Sequence, residues 1–142
     1  MTEYAQDIAR WFQVNAGKLI WLAVVLAVVF AFAVMVLVNS LGSWLVPLLR
    51  IPPGGEPQLA WDLAWTILSG IAAIAFASRY APTWPRVHGG VVWAVIAAAS
   101  IYTAWDFGSD FPFWFVVILL VSLPVQALVG LWVGPRFRPA RA

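Results

Sequence analysis

The stretch from residue 19 to residue 38 reads LIWLAVVLAVVFAFAVMVLV and holds no charged side chain in twenty positions. An α-helix rises about 1.5 Å per residue, so a stretch of this length crosses the hydrocarbon core of a bilayer, which is roughly 30 Å thick. The apolar part of a cleaved signal peptide is shorter, at about 7 to 15 residues. Residues 19–38 are therefore predicted to form an uncleaved transmembrane helix.

Three further apolar stretches are long enough to cross a membrane: residues 59–77, 87–105 and 111–133. The chain is 63% hydrophobic and only 10% charged, whereas a soluble domain is about 25% charged. Backbone groups inside a bilayer must find their hydrogen-bond partners within the segment, which favours helices over strands. The sequence predicts an all-α polytopic membrane protein, in which residues 1–142 form a single domain of four transmembrane helices.

The segment before the first span, residues 1–17, places Tyr4, Ile8 and Trp11 at helical spacing with charged side chains between them. This pattern predicts an N-terminal amphipathic helix that lies in the membrane interface. Docking to a partner is the alternative for this segment. At the other end of the sequence, residues 134–142 form a basic tail.

Basic residues are distributed unevenly between the two sides that four spans define. Only Arg50 lies on the side away from the termini. The other side collects seven basic residues: Arg10, Lys18, Arg79, Arg86, Arg136, Arg138 and Arg141. Because cytoplasmic loops carry the excess of Lys and Arg, we expect both termini to be cytoplasmic, in a bacterial inner membrane.

The tryptophans fall near the predicted helix ends, where indole rings prefer the headgroup level of the bilayer. Those near inner ends are Trp21, Trp84, Trp93 and Trp132, and those near outer ends are Trp44, Trp61, Trp65, Trp105 and Trp114. The distribution predicts two belts at the membrane interfaces rather than a stacking site for a cofactor.

Polar residues form one stripe on the second span and one on the third. The stripes consist of Asp62, Thr66 and Ser69, and of Ser100, Thr103 and Asp106, with Asp110 just beyond the third span. Antiparallel packing brings both stripes to the same side, so they predict an outward-facing vestibule that holds a cation, relays a proton or binds a basic partner. In the alternative interpretation, Asp62 is a first-turn acid favoured by the helix dipole and Asp106 begins a hydrated loop.

Gln126 lies inside the fourth span, two residues after Pro124. Proline lacks the N–H that pairs with the carbonyl of Leu120, so a kink is expected here. Ser122 and Gln126 share a helix face, and a polar side chain in lipid favours an interhelical hydrogen bond. We interpret these residues as packing contacts at the kink, with a role in transport as the alternative.

Small residues recur every four positions on two spans. They are Ser69, Ala73 and Ala77 on the second span, and Gly90, Ala94 and Ala98 on the third. Such ridges allow helix backbones to approach closely. They predict tight packing, either within the bundle or between copies.

Several kinds of chemistry lack the residues that they require. The sequence has no cysteine, and His88 is its single histidine, so neither a thiolate site nor a multi-histidine metal site is available. It has no recognisable Ser-His-Asp set and no phosphate-binding glycine loop. A net charge of +2 on so apolar a chain does not favour nucleic acid. We predict no metal, no cofactor and no nucleic-acid partner, and lean against an enzyme.

Three functions remain as hypotheses. The first is a non-catalytic protein that acts through protein contacts, as an accessory or assembly subunit or as a homo-oligomer; its partners are the lipid bilayer and either another membrane protein or a second copy. The second is a small transporter or channel, with an ion or proton site at Asp62, Thr66, Thr103 and Asp106. The third, ranked last, is a membrane enzyme that acts on a lipid or quinone with these carboxylates as acid and base.

Overall fold

The computed structural model describes the backbone of residues 2–137 and the side chains of residues 15–137. Its elements are α1 (Thr2–Leu48), α2 (Glu56–Tyr80), α3 (Pro85–Phe107), a short 3-10 helix (Gly108–Asp110) and α4 (Phe113–Arg136). The predicted all-α fold is confirmed, because four helices are long and apolar enough to cross a membrane and the described residues include no strand. The chain is therefore a multi-pass membrane protein.

The helix ends follow the prolines. Pro57 and Pro85 lie in the first turns of α2 and α3, where a missing N–H costs no helical hydrogen bond. The fourth helix begins two residues later than the predicted start at position 111. The reason is that Phe111 precedes Pro112 and is extended, with φ −115° and ψ 151°, as is usual for a residue before proline.

The first helix is longer than the sequence patterns indicate. Residues 1–17 are predicted to form an N-terminal interfacial amphipathic helix; from Thr2 onward this segment is helical, and its backbone continues without a break into the first span. The predicted contact of Tyr4, Ile8 and Trp11 with the interface falls on side chains outside the described residues. The same holds for residues 138–142 of the basic tail, whereas its first three residues belong to α4.

The far end of α1 also extends beyond the predicted span and runs through Pro47 to Leu48. Proline removes one N–H, the donor for the carbonyl of Ser43. The loss is one hydrogen bond, and the end of the helix is still held by neighbouring bonds, since Leu49 N donates to Leu45 O at 2.9 Å and Ile51 N donates to Val46 O at 3.1 Å. The helix therefore tolerates Pro47 and ends directly after it.

The four helices alternate in direction, which defines two ends of the bundle. The connections 49–55 and 108–112 lie at one end, called the distal end here, and the turn 81–84 and the end of α4 lie at the other, called the terminal end. α2 packs against all three other helices, whereas the described backbones of α1 and α4 do not approach each other. α2 is therefore the central helix.

α2 and α4 run parallel and meet along a regular line of contacts, called the α2–α4 seam here. Gly70, Ile74 and Ser78 of α2 face Gln126, Gly130 and Gly134 of α4, both at intervals of four. A Cβ on Gly130 would lie 2.7 Å from the Ile74 side chain, and one on Gly134 would lie 2.6 Å from the carbonyl oxygen of Ala75. Only glycine fits at these two positions, so the backbones lie close together.

α3 docks on this pair through its terminal half. Its buried residues are Gly89, Val92, Ile96 and Ala97. The backbone of Gly89 lies against the hydroxyl of Ser78, and Trp93 Nε1 donates a hydrogen bond of 2.9 Å to the carbonyl of Leu123 on α4. Beyond Ala97, towards the distal end, no residue of α3 is buried.

The two predicted ridges of small residues have different positions. Ser69, Ala73 and Ala77 on α2 are buried inside the bundle. On α3, Ala94 and Ala98 are exposed, and a Cβ on Gly90 would meet no atom within 4 Å. This second ridge, called the α3 ridge here, therefore lies on the face turned away from the bundle.

The tryptophans divide into exposed and half-buried groups. Those with exposed rings are Trp21, Trp44, Trp84, Trp105 and Trp132. Those that are half-buried are Trp61, Trp65, Trp93 and Trp114. The exposed rings occupy places where membrane belts are expected. Trp61 and Trp93 instead donate to carbonyls on neighbouring helices, and so they join helices.

The adjacent glycines of α3 provide a matched test of this packing. We expect Gly89→Ala to lower the free energy of unfolding by about 1–3 kcal/mol, because its Cβ would overlap the Ser78 hydroxyl and lie 2.7 Å from Leu131 in a packed interior. Gly90→Ala has open space and should raise it by up to about 1 kcal/mol through helix propensity. Unfolding in mixed detergent micelles measures both, and equal effects would contradict the proposed docking face of α3.

Candidate functional site

Polar residues of α1 and α2 face each other near the distal end. Asn39 and Ser43 lie one turn apart on α1, and Gln58, Asp62 and Thr66 lie one turn apart on α2. Together with Val46 and Pro47, they line an open crevice of about 380 Å³. This cavity is called the α1–α2 crevice here, and Asp62 is half-buried within it.

Two tryptophans hold α1 against α2 beside this crevice. Trp61 Nε1 donates a hydrogen bond of 2.9 Å to the carbonyl of Gly42. The ring of Trp65 lies directly over Gly42, where an added Cβ would overlap its side chain. The helices therefore touch at Gly42, while the polar residues nearby line an open space.

A second cavity lies mainly between the distal halves of α3 and α4, and residues of α1 and α2 complete its lining. It has a volume of about 330 Å³ and is mostly apolar, with the rings of Phe32, Phe111 and Phe115 in its lining. Its polar lining residues are Thr66, Ser100, Thr103 and Gln126, and it is called the hydroxyl cleft here. It forms where α3 is no longer buried against its neighbours, beyond Ala97.

The hydroxyl cleft brings together three of the predicted site residues, Thr66, Ser100 and Thr103. Two of their hydroxyl protons are already bonded to the backbone, since Thr66 donates to Asp62 O at 2.8 Å and Thr103 to Ala99 O at 2.9 Å. Their oxygen atoms keep lone pairs that accept hydrogen bonds. Thr66 lines both cavities, so it lies between them.

The three predicted carboxylates have different surroundings. Asp62 lies in the α1–α2 crevice, whereas Asp106 and Asp110 are exposed at the distal end and line neither cavity. Asp106 accepts a hydrogen bond of 3.3 Å from the hydroxyl of Tyr102 on its own helix. In the described part of the chain, no hydrogen bond joins Asp62 to Asp106, and neither of these two cavities is lined by both.

Gln126 is buried, with 1% of its surface exposed. Its Nε2 donates 2.9 Å to Ser122 Oγ, and that hydroxyl donates 2.7 Å to the carbonyl of Leu119. The partner is therefore on its own helix, whereas the sequence led us to expect an interhelical bond. The amide nevertheless packs across the seam, because Oε1 lies against the backbone of Gly70. α4 continues through Pro124 without interruption.

The chemistry available in these cavities is binding by neutral oxygen atoms and one carboxylate. Among the described residues, no three of His, Cys, Asp and Glu come together in a way that holds a metal ion. His88 lies near the terminal end, with Nδ1 at 3.1 Å from the carbonyl of Trp84. It is thus at the end of the bundle opposite to both cavities.

Sequence reasoning missed Asn39 and Ser43 because the predicted first span ended at residue 38, and it missed Gln58 because the predicted second span began at residue 59. Once α1 extends to Leu48, the spacing of Asn39 and Ser43 matches that of Gln58 and Asp62 on α2. The glycines of the α2–α4 seam were missed too. Their signal was present, since Gly130 and Gly134 form a G-x-x-x-G motif in an apolar helix.

Comparison of the chain with protein-family models, with curated proteins and with solved structures finds no match. The class that the fold defines is therefore a four-helix membrane protein, and any more specific function rests on the geometry described above.

The contact between Trp61 and Gly42 can be tested with a conservative substitution. We expect Trp61→Phe to lower the free energy of unfolding by about 0.6 to 1.7 kcal/mol, the usual contribution of an interhelical hydrogen bond in a membrane protein. Trp105→Phe is the control, because Trp105 is 90% exposed and donates to no neighbouring helix in the described structure. A loss in the control as large as in Trp61→Phe would show that ring size, rather than the hydrogen bond, is responsible.

Proposed function

We propose that this protein acts through contacts with another transmembrane helix, as an accessory or assembly subunit or as a homo-oligomer, and that the α3 ridge is its contact face. The observation that carries the proposal is the position of Gly90, Ala94 and Ala98 on the outside of the bundle. Ala94 and Ala98 are exposed, and the space beside Gly90 is open.

The shape of this face favours close approach of a second helix. Larger side chains, Val91 and Ile101, are exposed on the same helix and border the ridge. Helices in lipid associate through van der Waals packing rather than through the hydrophobic effect, and small residues at intervals of four allow their backbones to approach. The α2–α4 seam shows the same spacing in a contact that the protein makes internally.

The ridge suits either kind of partner. In a symmetric dimer, the same surface of both copies meets, so a face of small residues complements itself. In an assembly with another protein, it accepts a helix that carries larger side chains. The transport and enzyme hypotheses draw less support from this geometry, because they relied on Asp62 and Asp106 acting together.

We also propose that the terminal end faces the cytoplasm, in a bacterial inner membrane. Support for this orientation comes from the seven basic residues on that side, against Arg50 alone on the other, since cytoplasmic segments are rich in Lys and Arg. Helical spans favour the inner membrane, because bacterial outer-membrane spans are β-barrels.

The orientation can be tested by cysteine labelling, since the sequence has no cysteine of its own. We expect Ser109→Cys, at the distal end, to react with a membrane-impermeant maleimide in spheroplasts whose inner membrane is intact. Thr83→Cys, at the terminal end, should react only after permeabilisation. Both positions are exposed, so the opposite pattern would reverse the proposed topology.

If the protein associates through the α3 ridge, larger side chains on that face should weaken the association. We expect Ala94→Leu and Ala98→Leu each to raise the dissociation constant at least about tenfold, equal to about 1.4 kcal/mol, because leucine holds the backbones apart. Energy transfer between differently labelled copies in liposomes measures self-association. Ala33→Leu is the matched control, because Ala33 is exposed on α1, and it should leave the transfer unchanged.

A partner of different sequence requires a second measurement. A photo-reactive residue at position 94, introduced in the native membrane, should give one discrete crosslinked product, and the same residue at position 33 should not. Absence of both energy transfer and a position-94 product would contradict the proposed function.

A further inference from the structure

The α1–α2 crevice collects five polar side chains in a chain that is 63% hydrophobic. They are Asn39, Ser43, Gln58, Asp62 and Thr66. Polar side chains on two facing membrane helices usually hydrogen-bond to each other, because lipid offers no other partner. Here, among the described residues, none of the hydrogen bonds made by these five side chains crosses from α1 to α2. The crevice therefore presents polar groups to its own interior.

The hydroxyl groups in the crevice are arranged as acceptors. Ser43 donates its proton to the carbonyl of Asn39 at 3.4 Å, and Thr66 donates its proton to the carbonyl of Asp62 at 2.8 Å. The Thr66 oxygen then has lone pairs left but no proton to give, and the Ser43 oxygen, whose own hydrogen bond is long, also has lone pairs that can accept. The carboxylate of Asp62 is an acceptor by its charge. At the rim, Gln58 Oε1 accepts from the backbone N–H of Gly54 at 2.6 Å.

Pro47, which also lines the crevice, contributes a further acceptor. It has no N–H, so the carbonyl of Ser43 lacks the donor that an α-helix normally provides four residues later. Unwound or unpaired backbone carbonyls near the end of a membrane helix are a common source of cation ligands. Ser43 thus offers two acceptors, its carbonyl and its hydroxyl, in the crevice that also contains the carboxylate of Asp62.

The negative charge of Asp62 favours an occupant with a single positive charge. Among the described residues that line it, Asp62 alone is charged, so one positive charge neutralises the site. Oxygen atoms are the ligands that hard cations prefer, and the site offers neither the sulfur nor the imidazole nitrogen that zinc or copper favours. A divalent ion would leave an uncompensated charge at the edge of the hydrocarbon core, which is costly.

We propose that the α1–α2 crevice binds a monovalent alkali cation, for which sodium is the probe, through Asp62, Asn39, Ser43 and Thr66. The bound ion links α1 to α2 at the distal end, next to the contact of Trp61 with Gly42. Because the ion binds only the folded bundle, it stabilises that bundle in proportion to the logarithm of its concentration once the site is saturated. This site differs from the vestibule expected between Asp62 and Asp106, and it does not depend on association through the α3 ridge.

The test is the thermal unfolding of the full chain in nanodiscs at constant ionic strength, with sodium chloride replaced stepwise by N-methylglucamine chloride. We expect the unfolding midpoint to rise by about 4 °C for each tenfold increase in sodium above the dissociation constant. Asp62→Asn keeps the size of the side chain and removes its charge, and it should abolish this dependence. Asp106→Asn is the matched control, because it removes a carboxylate that lies outside the crevice, and it should retain the dependence.

If Asp62→Asn fails to fold, a second variant and a second measurement still test the proposal. Asn39→Ala changes an exposed side chain and should weaken the sodium dependence, and sodium-23 NMR line broadening by the wild-type protein should fall in both crevice variants. The proposal is overturned if the midpoint does not depend on sodium, or if Asp62→Asn retains the full dependence. The proposal is also overturned if methylammonium stabilises the protein and sodium does not, because the crevice would then bind an amine rather than an alkali cation.

Discussion

Two helices in a bilayer gain no hydrophobic free energy by touching, because acyl chains are as apolar as their side chains. The seam between α2 and α4 answers this constraint with close backbone contact, at Gly130 and Gly134, where even one added carbon would collide with α2. α3 then docks against the same place, through Gly89 and the hydroxyl of Ser78. The terminal half of the bundle is thus packed around one line of small residues.

The α1–α2 crevice and the hydroxyl cleft both lie in the distal half of the bundle. α3 loses its buried contacts beyond Ala97, which opens the hydroxyl cleft. α1 packs mainly on α2, and the two touch through Trp61 and Trp65 at Gly42. A ligand in the α1–α2 crevice would act where α1, whose described contacts are mainly with α2, joins the central helix.

The candidate site was predictable in part. The helical spacing of Asp62 and Thr66 on α2, and of Ser100 and Thr103 on α3, was visible because a helix repeats every 3.6 residues. The partner of Asp62 was not visible. It depended on α1 continuing past residue 38, where the predicted span ended, to bring Asn39 and Ser43 into position. Asp106, which the sequence placed with Asp62, instead accepts a hydrogen bond from Tyr102.

The sequence alone determined that the chain is helical and crosses the membrane four times, because length and hydrophobicity act on each segment separately. It also supplied the repeats of small residues. Only the tertiary structure decided their use, since a repeat of four marks one face of a helix without saying what that face meets. Ser69, Ala73 and Ala77 are enclosed by neighbouring helices, whereas Ala94 and Ala98 face outward. The repeat on α3 faces outward because α3 is oriented with Gly89, rather than Gly90, towards the seam. At that contact Ser78 leaves room for glycine alone.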